Sequence, residues 1–72
     1  MGREKDVEKS YSNKEVAAKL RRLADALEEG KTFEIQIAGE RIYVPPRATV
    51  EFEYQRAGNK EEVDIELKWN RQ

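Results

Sequence analysis

Four carboxylates hold the placement most open to chemistry in this 72-residue chain: Glu51 and Glu53 in VEFEY, and Asp64 and Glu66 in VDIELKW. The chain has no cysteine and no histidine, so it offers no thiol nucleophile, no thiolate zinc site and no imidazole to ligate a metal or move a proton. An enzyme built from it would work with carboxylates, lysine or tyrosine. Paired carboxylates do general acid and base chemistry when burial or a like-charged neighbour splits their pKa values and a concave pocket holds the substrate between them. Calcium asks for six to eight oxygens converging from loops. Which of these is open to the four acids depends on the element that carries them.

That element reads as a β-hairpin. RAGNKEE supplies a turn with Gly58 and Asn59 at its centre, flanked by two stretches that alternate apolar and charged residues. Counting outward from Ala57 opposite Lys60, Tyr54 faces Val63, Phe52 faces Ile65, Val50 faces Leu67 and Ala48 faces Trp69. All of these fall on one side, and a slip of one residue would scatter them over both faces. The same register sets Glu51 against Glu66 and Glu53 against Asp64. Like charges directly opposite are destabilising, so the grid calls for nearby cations, solvent screening or a ligand. An open sheet face offers neither a pocket nor converging oxygens, and the expectation is no catalytic residue, no metal and no cofactor. With Arg41 placed beside Glu53 and Tyr43 beside Glu51 by a preceding strand, the face reads as a recognition surface for a basic peptide, a polyamine or a cation. The plainer alternative is a solvated face kept charged for solubility and against edge association.

The elements that must position this hairpin are marked in turn. SYSNKEVAAKLRRLADALEEG reads as a helix over about residues 13 to 29: Ser12 and Glu15 form a capping box, Tyr11 can staple onto Val16, and Gly30 sits where a left-handed cap belongs. Val16, Ala17, Leu20, Leu23, Ala24 and Leu27 form its apolar stripe. After Gly30 the period changes to two. Phe33, Ile35 and Ile37 form one strand, AGER a turn centred on Gly39 and Glu40, and Ile42 and Val44 the next strand, which sets Ile37 against Ile42 and Ile35 against Val44. Pro45 and Pro46 cannot donate to a ladder and end it. The short link to Val50 predicts that the second and third strands are antiparallel neighbours. Trp69 shares parity with Val63, Ile65 and Leu67, opposite the small Ala48, and is expected at the core or its rim, near Leu23 and Leu27. The expected core is therefore Val16, Leu20, Leu23, Leu27, Phe33, Ile35, Ile37, Ile42, Val44, Val50, Phe52, Ile65, Leu67 and Trp69. In residues 1–9 the alternating charges fit a polar edge strand or a disordered leader.

A chain of this length buries only roughly 60% of its unfolded surface, which leaves few apolar residues for a pocket. The net charge of -1 is unevenly spread: residues 1–22 carry seven Lys/Arg against four Asp/Glu, and residues 23–72 carry seven against eleven. The acidic remainder disfavours nucleic acid, although Lys14, Lys19, Arg21 and Arg22 on the helix, with the N-terminal arm, keep a nucleic-acid-associated role as the alternative. No apolar run approaches the ~18 residues of a membrane span and no signal-peptide core is present, so the expected location is the cytoplasm, with no membrane partner.

From about residue 10 to 70, the order of Ser-capped helix, glycine, alternating strands, Val44-Pro45-Pro46 corner and a Glu-rich strand closing on Trp69 resembles the amphi-Trp domain family. The resemblance implies a small prokaryotic domain without an established activity, and none of the matching motifs is chemical. The expected architecture is a single α+β domain over residues 1–72: one amphipathic helix on one face of a four-stranded antiparallel meander, with room for an extra N-terminal edge strand. The expected role is a non-catalytic interaction or homo-oligomerisation module with Arg41, Tyr43, Glu51, Glu53, Asp64 and Glu66 as the partner-binding face. The partner is a protein of unknown identity or a second copy.

Overall fold

The computed structural model describes residues 9–71, so the expectation of a strand or leader in residues 1–9 lies almost wholly outside it. The fold is α+β: a helix α1 (Asn13–Glu29) followed by strands β1 (Phe33–Ile37), β2 (Glu40–Val44), β3 (Thr49–Ala57) and β4 (Lys60–Lys68).

Helix α1 begins where its capping groups dictate. The Glu15 backbone N–H donates to Ser12 Oγ at 3.2 Å, and the Ser12 N–H donates back to Glu15 Oε1 at 3.1 Å, so two otherwise unpaired donors are satisfied reciprocally. The Ser12 N–H and, after it, the Ser12 hydroxyl, which also donates to Glu15 Oε1 at 3.1 Å, hold the Glu15 carboxyl below its ordinary pKa of 4.5. Gly30 ends the helix in the left-handed region at φ 65°, and the Lys31 N–H closes on the Ala26 carbonyl at 2.9 Å.

The helix packs on β1, and two residues, Tyr11 just before it and Arg22 within it, fix it there. Tyr11 Oη donates to the Gln36 carbonyl at 3.0 Å, and Arg22 Nη2 donates to the Glu34 carbonyl at 3.0 Å while its guanidinium lies over the Phe33 ring. In the β1/β2 register Ile35 and Ile37 exchange ladder bonds, so the carbonyls of Glu34 and Gln36 point outward along the open edge. Tyr11 and Arg22 therefore cap groups that would otherwise face an incoming strand.

β1 and β2 pair antiparallel with Phe33 opposite Val44, Ile35 opposite Ile42 and Ile37 opposite Glu40. This corrects the expected register. The turn is centred on Ala38 and Gly39, both at positive φ (51° and 82°), as a type I′ turn requires. A primed turn matches the right-handed twist of the flanking strands, and that advantage outweighs the cost of holding an alanine in the left-handed region. Because the register moves by two, the apolar side chains keep the face expected of them.

A second correction concerns the sheet. The strands form two separate two-stranded ladders, β1/β2 and β3/β4, with no β2/β3 ladder among the described residues. Pro45 and Pro46 remove two consecutive donors where such a ladder would start. The chain then turns with the Ala48 N–H donating to the Pro45 carbonyl at 3.1 Å, leaving Pro46 at the position a β-turn favours for proline. The second hairpin is thereby directed away from the first.

The core is correspondingly small. Leu23, Phe33 and Val44 are buried, with Ala26, Ile35, Ile42, Ala48, Leu67 and Trp69 packed around them. Val16, Leu20, Leu27, Phe52 and Ile65, which the pattern assigns to the core, are exposed; Ile37 and Val50 are half-buried. The reason is geometric. One helix is about 10 Å across and strands lie about 4.8 Å apart, so α1 covers about two strands and cannot cover four.

Candidate functional site

Among the described residues, the β3/β4 hairpin is an arm rooted in the core and uncovered beyond it. At its root Ala48, Leu67 and Trp69 pack against the buried cluster. Gly58 at φ 62° makes the tip turn, and the register is the expected one throughout: Tyr54 opposite Val63, Phe52 opposite Ile65 and Val50 opposite Leu67. With nine residues per strand, the arm is about 30 Å long.

One face of the arm carries the acidic grid. Glu51 stands opposite Glu66 and Glu53 opposite Asp64, with Gln55 opposite Glu62 further out. Lys68 Nζ lies 3.3 Å from Glu51 Oε1 and 3.3 Å from Glu66 Oε1, so a single ammonium bridges the inner carboxylate pair. Its hydrogen bonds to Glu66 and then Glu51 raise the Lys68 pKa above the ordinary value. The Gln55 amide reaches Asp64 Oδ2 at 3.5 Å. Glu53 has no ion pair among the described residues.

Arg41 and Tyr43, expected to complete this face, lie elsewhere. They stand on β2, which has no ladder with β3. Arg41 pairs with Glu34 across the first hairpin, and that hydrogen-bonded contact holds its pKa above the ordinary value. Of the six residues read as one face, the structure brings together Glu51, Glu53, Asp64 and Glu66 and leaves the other two on a separate ladder. The counter-ion the sequence supplies is Lys68, two residues beyond Glu66 on the same strand face. No group of three or more Asp or Glu able to hold a metal ion occurs among the described residues.

The opposite face of the arm is apolar and open. Phe52 is 75% exposed, Val63 68%, Tyr54 57% and Ile65 41%. At its outer end Arg56 faces Glu61, and Tyr54 Oη donates to Glu61 Oε1 at 2.9 Å, a bond that raises the tyrosine pKa. The sequence pattern reads this face as core. The signal against it is a count: six apolar helix positions cannot cover the apolar faces of two hairpins.

At the foot of the arm Arg47, Thr49, Lys68, Trp69 and Asn70 line an open cleft of about 480 Å³. Arg47 Nη2 donates to the Asn70 carbonyl at 2.7 Å and ties the chain end to the Pro-Pro corner. Trp69 is half-buried, forming a wall of this cleft with its other side on the core. No helix among the described residues is long and apolar enough to cross a membrane.

The family model described as Amphi-Trp domain matches residues 1–72. No curated protein and no solved structure matches the chain.

Proposed function

We propose, for a chain that belongs to the Amphi-Trp domain family, a non-catalytic role as a protein-interaction module that works through the β3/β4 arm and presents its acidic face to a basic partner. The observation that carries this reading is the electrostatic imbalance of that face. Among the described residues of the ladder, Glu51, Glu53, Glu62, Asp64 and Glu66 share this face with two cations, Lys60 and Lys68. The register fixes these carboxylates in rows at strand spacing, so a lysine- or arginine-rich segment lying along the arm meets several of them at once. Parallel projection from a flat ladder favours binding a surface over holding a substrate between an acid and a base.

The helix offers weaker support for a nucleic-acid role. Arg22 is engaged with the Glu34 carbonyl and the Phe33 ring, and Lys19 Nζ lies 4.7 Å from the Tyr11 ring centroid. Lys14 and Arg21 alone make a narrow basic footprint.

The test is affinity capture from the native cell with the intact chain and with a variant carrying Glu51→Lys, Glu53→Lys, Asp64→Lys and Glu66→Lys. A basic partner retained by the intact chain and lost with the variant supports the reading. The same set of proteins on both refutes it.

A further inference from the structure

A two-stranded hairpin standing alone in water is marginal at best; it needs further strands or an apolar cover to persist. Among the described residues the outer two-thirds of the β3/β4 arm has neither, because α1 packs on β1 and the core reaches only as far as Leu67 and Trp69. We propose that the apolar face of the arm, centred on Phe52, Tyr54, Val63 and Ile65, is the dimerisation surface of this chain, and that its occupant is the same face of a second copy.

Area and charge both point to that occupant. Four large side chains, two of them aromatic, are between 41% and 75% exposed on one contiguous face, on the order of 400–500 Å² of apolar surface when a full aromatic accounts for 150–250 Å². That is the size of the largest apolar patch on a typical monomer, a patch that is often functional. Two such faces together supply about 800–1,000 Å² before their rims are counted, and the rims bring the total to the roughly 1,000 Å² that a specific interface must clear.

A two-fold interface must be complementary to itself. The apolar face meets that condition: its only charged groups, Arg56 and Glu61, are one of each sign and stand opposite each other at the rim. The acidic face fails it, since five carboxylates against two ammonium groups would meet an identical excess. Packed as two sheets about 10 Å apart, the arms would form a four-stranded sandwich with Phe52, Tyr54, Val63 and Ile65 of both copies at its centre. Both acidic faces would then point outward. The inference deepens the interaction-module reading: the arm has one face for its own copy and one for a basic partner, and the dimer displays two partner sites.

Oligomeric mass by sedimentation equilibrium over the micromolar range, on the full chain and three variants, decides it. The intact chain should have twice the 8.4 kDa chain mass, and the dimer should persist in high salt because its centre is apolar. Phe52→Glu and, separately, Val63→Lys should each weaken the dimer at least about 30-fold, as loss of a central anchor does. The combined Glu51→Lys and Glu66→Lys variant should leave it intact. Trp69 fluorescence reports whether each variant keeps its fold at the root of the arm. Two positions are changed independently so that unfolding of one variant leaves the other to decide. A monomeric intact chain overturns the proposal, as does a dimer that both apolar-face variants preserve or that the acidic-face variant abolishes. A monomer that still captures a basic partner would refute the dimer while sparing the interaction module, and a dimer that captures none would do the reverse.

Discussion

Ala38 offers a sharp test of the backbone in this fold. It is the one non-glycine residue at positive φ among the described residues, at 51°, and it shares the β1/β2 turn with Gly39 at 82°. Holding an L-residue with a Cβ in this region costs roughly 1–2 kcal/mol. Ala38→Gly removes that strain but adds about 0.4–1 kcal/mol of freedom to the unfolded chain, so the net gain should be about 0.5 kcal/mol. Ala38→Asn keeps the unfolded chain restricted, tolerates the left-handed region and creates the Asn-Gly pair favoured by type I′ turns, so about 1 kcal/mol is expected. Gly39→Ala should lose roughly 1–2 kcal/mol. A Cβ built on Gly39 meets nothing within 4 Å, which makes that loss purely conformational. In a domain of this size 1 kcal/mol moves Tm by about 4–8 °C. Thermal melts followed by far-UV circular dichroism should therefore order the proteins Ala38→Asn, Ala38→Gly, unaltered chain, Gly39→Ala, from most to least stable. If both Ala38 variants melt below the unaltered chain, the turn is centred on Gly39 and Glu40, and the pairing of Ile35 with Ile42 fails with it.

Four further outcomes follow from the contacts. Ser12→Ala removes the acceptor of the capping box and should cost about 1 kcal/mol, read as a lowered Tm. Because Ser12 holds the folded-state pKa of Glu15 below 4.5, the Glu15 contribution is fully present above that unfolded value and is lost as pH falls through the folded one. The stability difference between the unaltered chain and Glu15→Gln should shrink on acidification below pH 4.5 and stay constant above it. Tyr11→Phe deletes the hydrogen bond to the Gln36 carbonyl and should cost about 0.5–1.5 kcal/mol, with faster amide exchange at the first turn of α1 as the local readout. Lys68→Gln leaves Glu51 facing Glu66 without the bridging ammonium; its Tm deficit should be greatest at low salt and fade as salt screens the exposed pair.

The sequence made some of this legible and hid the rest for identifiable reasons. Helix α1 could be read to within a residue because Ser12, Glu15 and Gly30 are explicit start and stop groups whose chemistry is local. The β3/β4 register was equally readable, since the turn at Gly58 and Asn59 fixes the alignment and a slip of one residue would scatter Val50, Phe52, Tyr54, Val63, Ile65 and Leu67 over both faces. The β1/β2 register was not, because AGER permits Gly39 at either central turn position and the choice depends on whether alanine accepts a left-handed conformation. The placement of Arg41 beside Glu53 assumed that consecutive strands are neighbours. Pro45 and Pro46 were visible as ladder breakers, but the turn through Pro46 and Arg47 that separates the hairpins is a property of the folded backbone. The exposure of Phe52 and Ile65 is a consequence of the same separation, as parity says which face a residue occupies and not what covers that face.

The turn between Val44 and Thr49 has a consequence for how such a module can change. Four residues, Pro45 to Ala48, set the direction in which the arm leaves the core, through one hydrogen bond from Ala48 to Pro45 and the fixed φ of two prolines. None of the four lies within the ladder that displays the acidic and apolar side chains. Replacement of Pro46 or an insertion beside Arg47 would swing both faces together and leave the side chains on each unaltered. The angle at which the arm presents its surfaces and the chemistry of those surfaces are thus encoded by separate stretches of the chain, so one can drift or be engineered while the other is held.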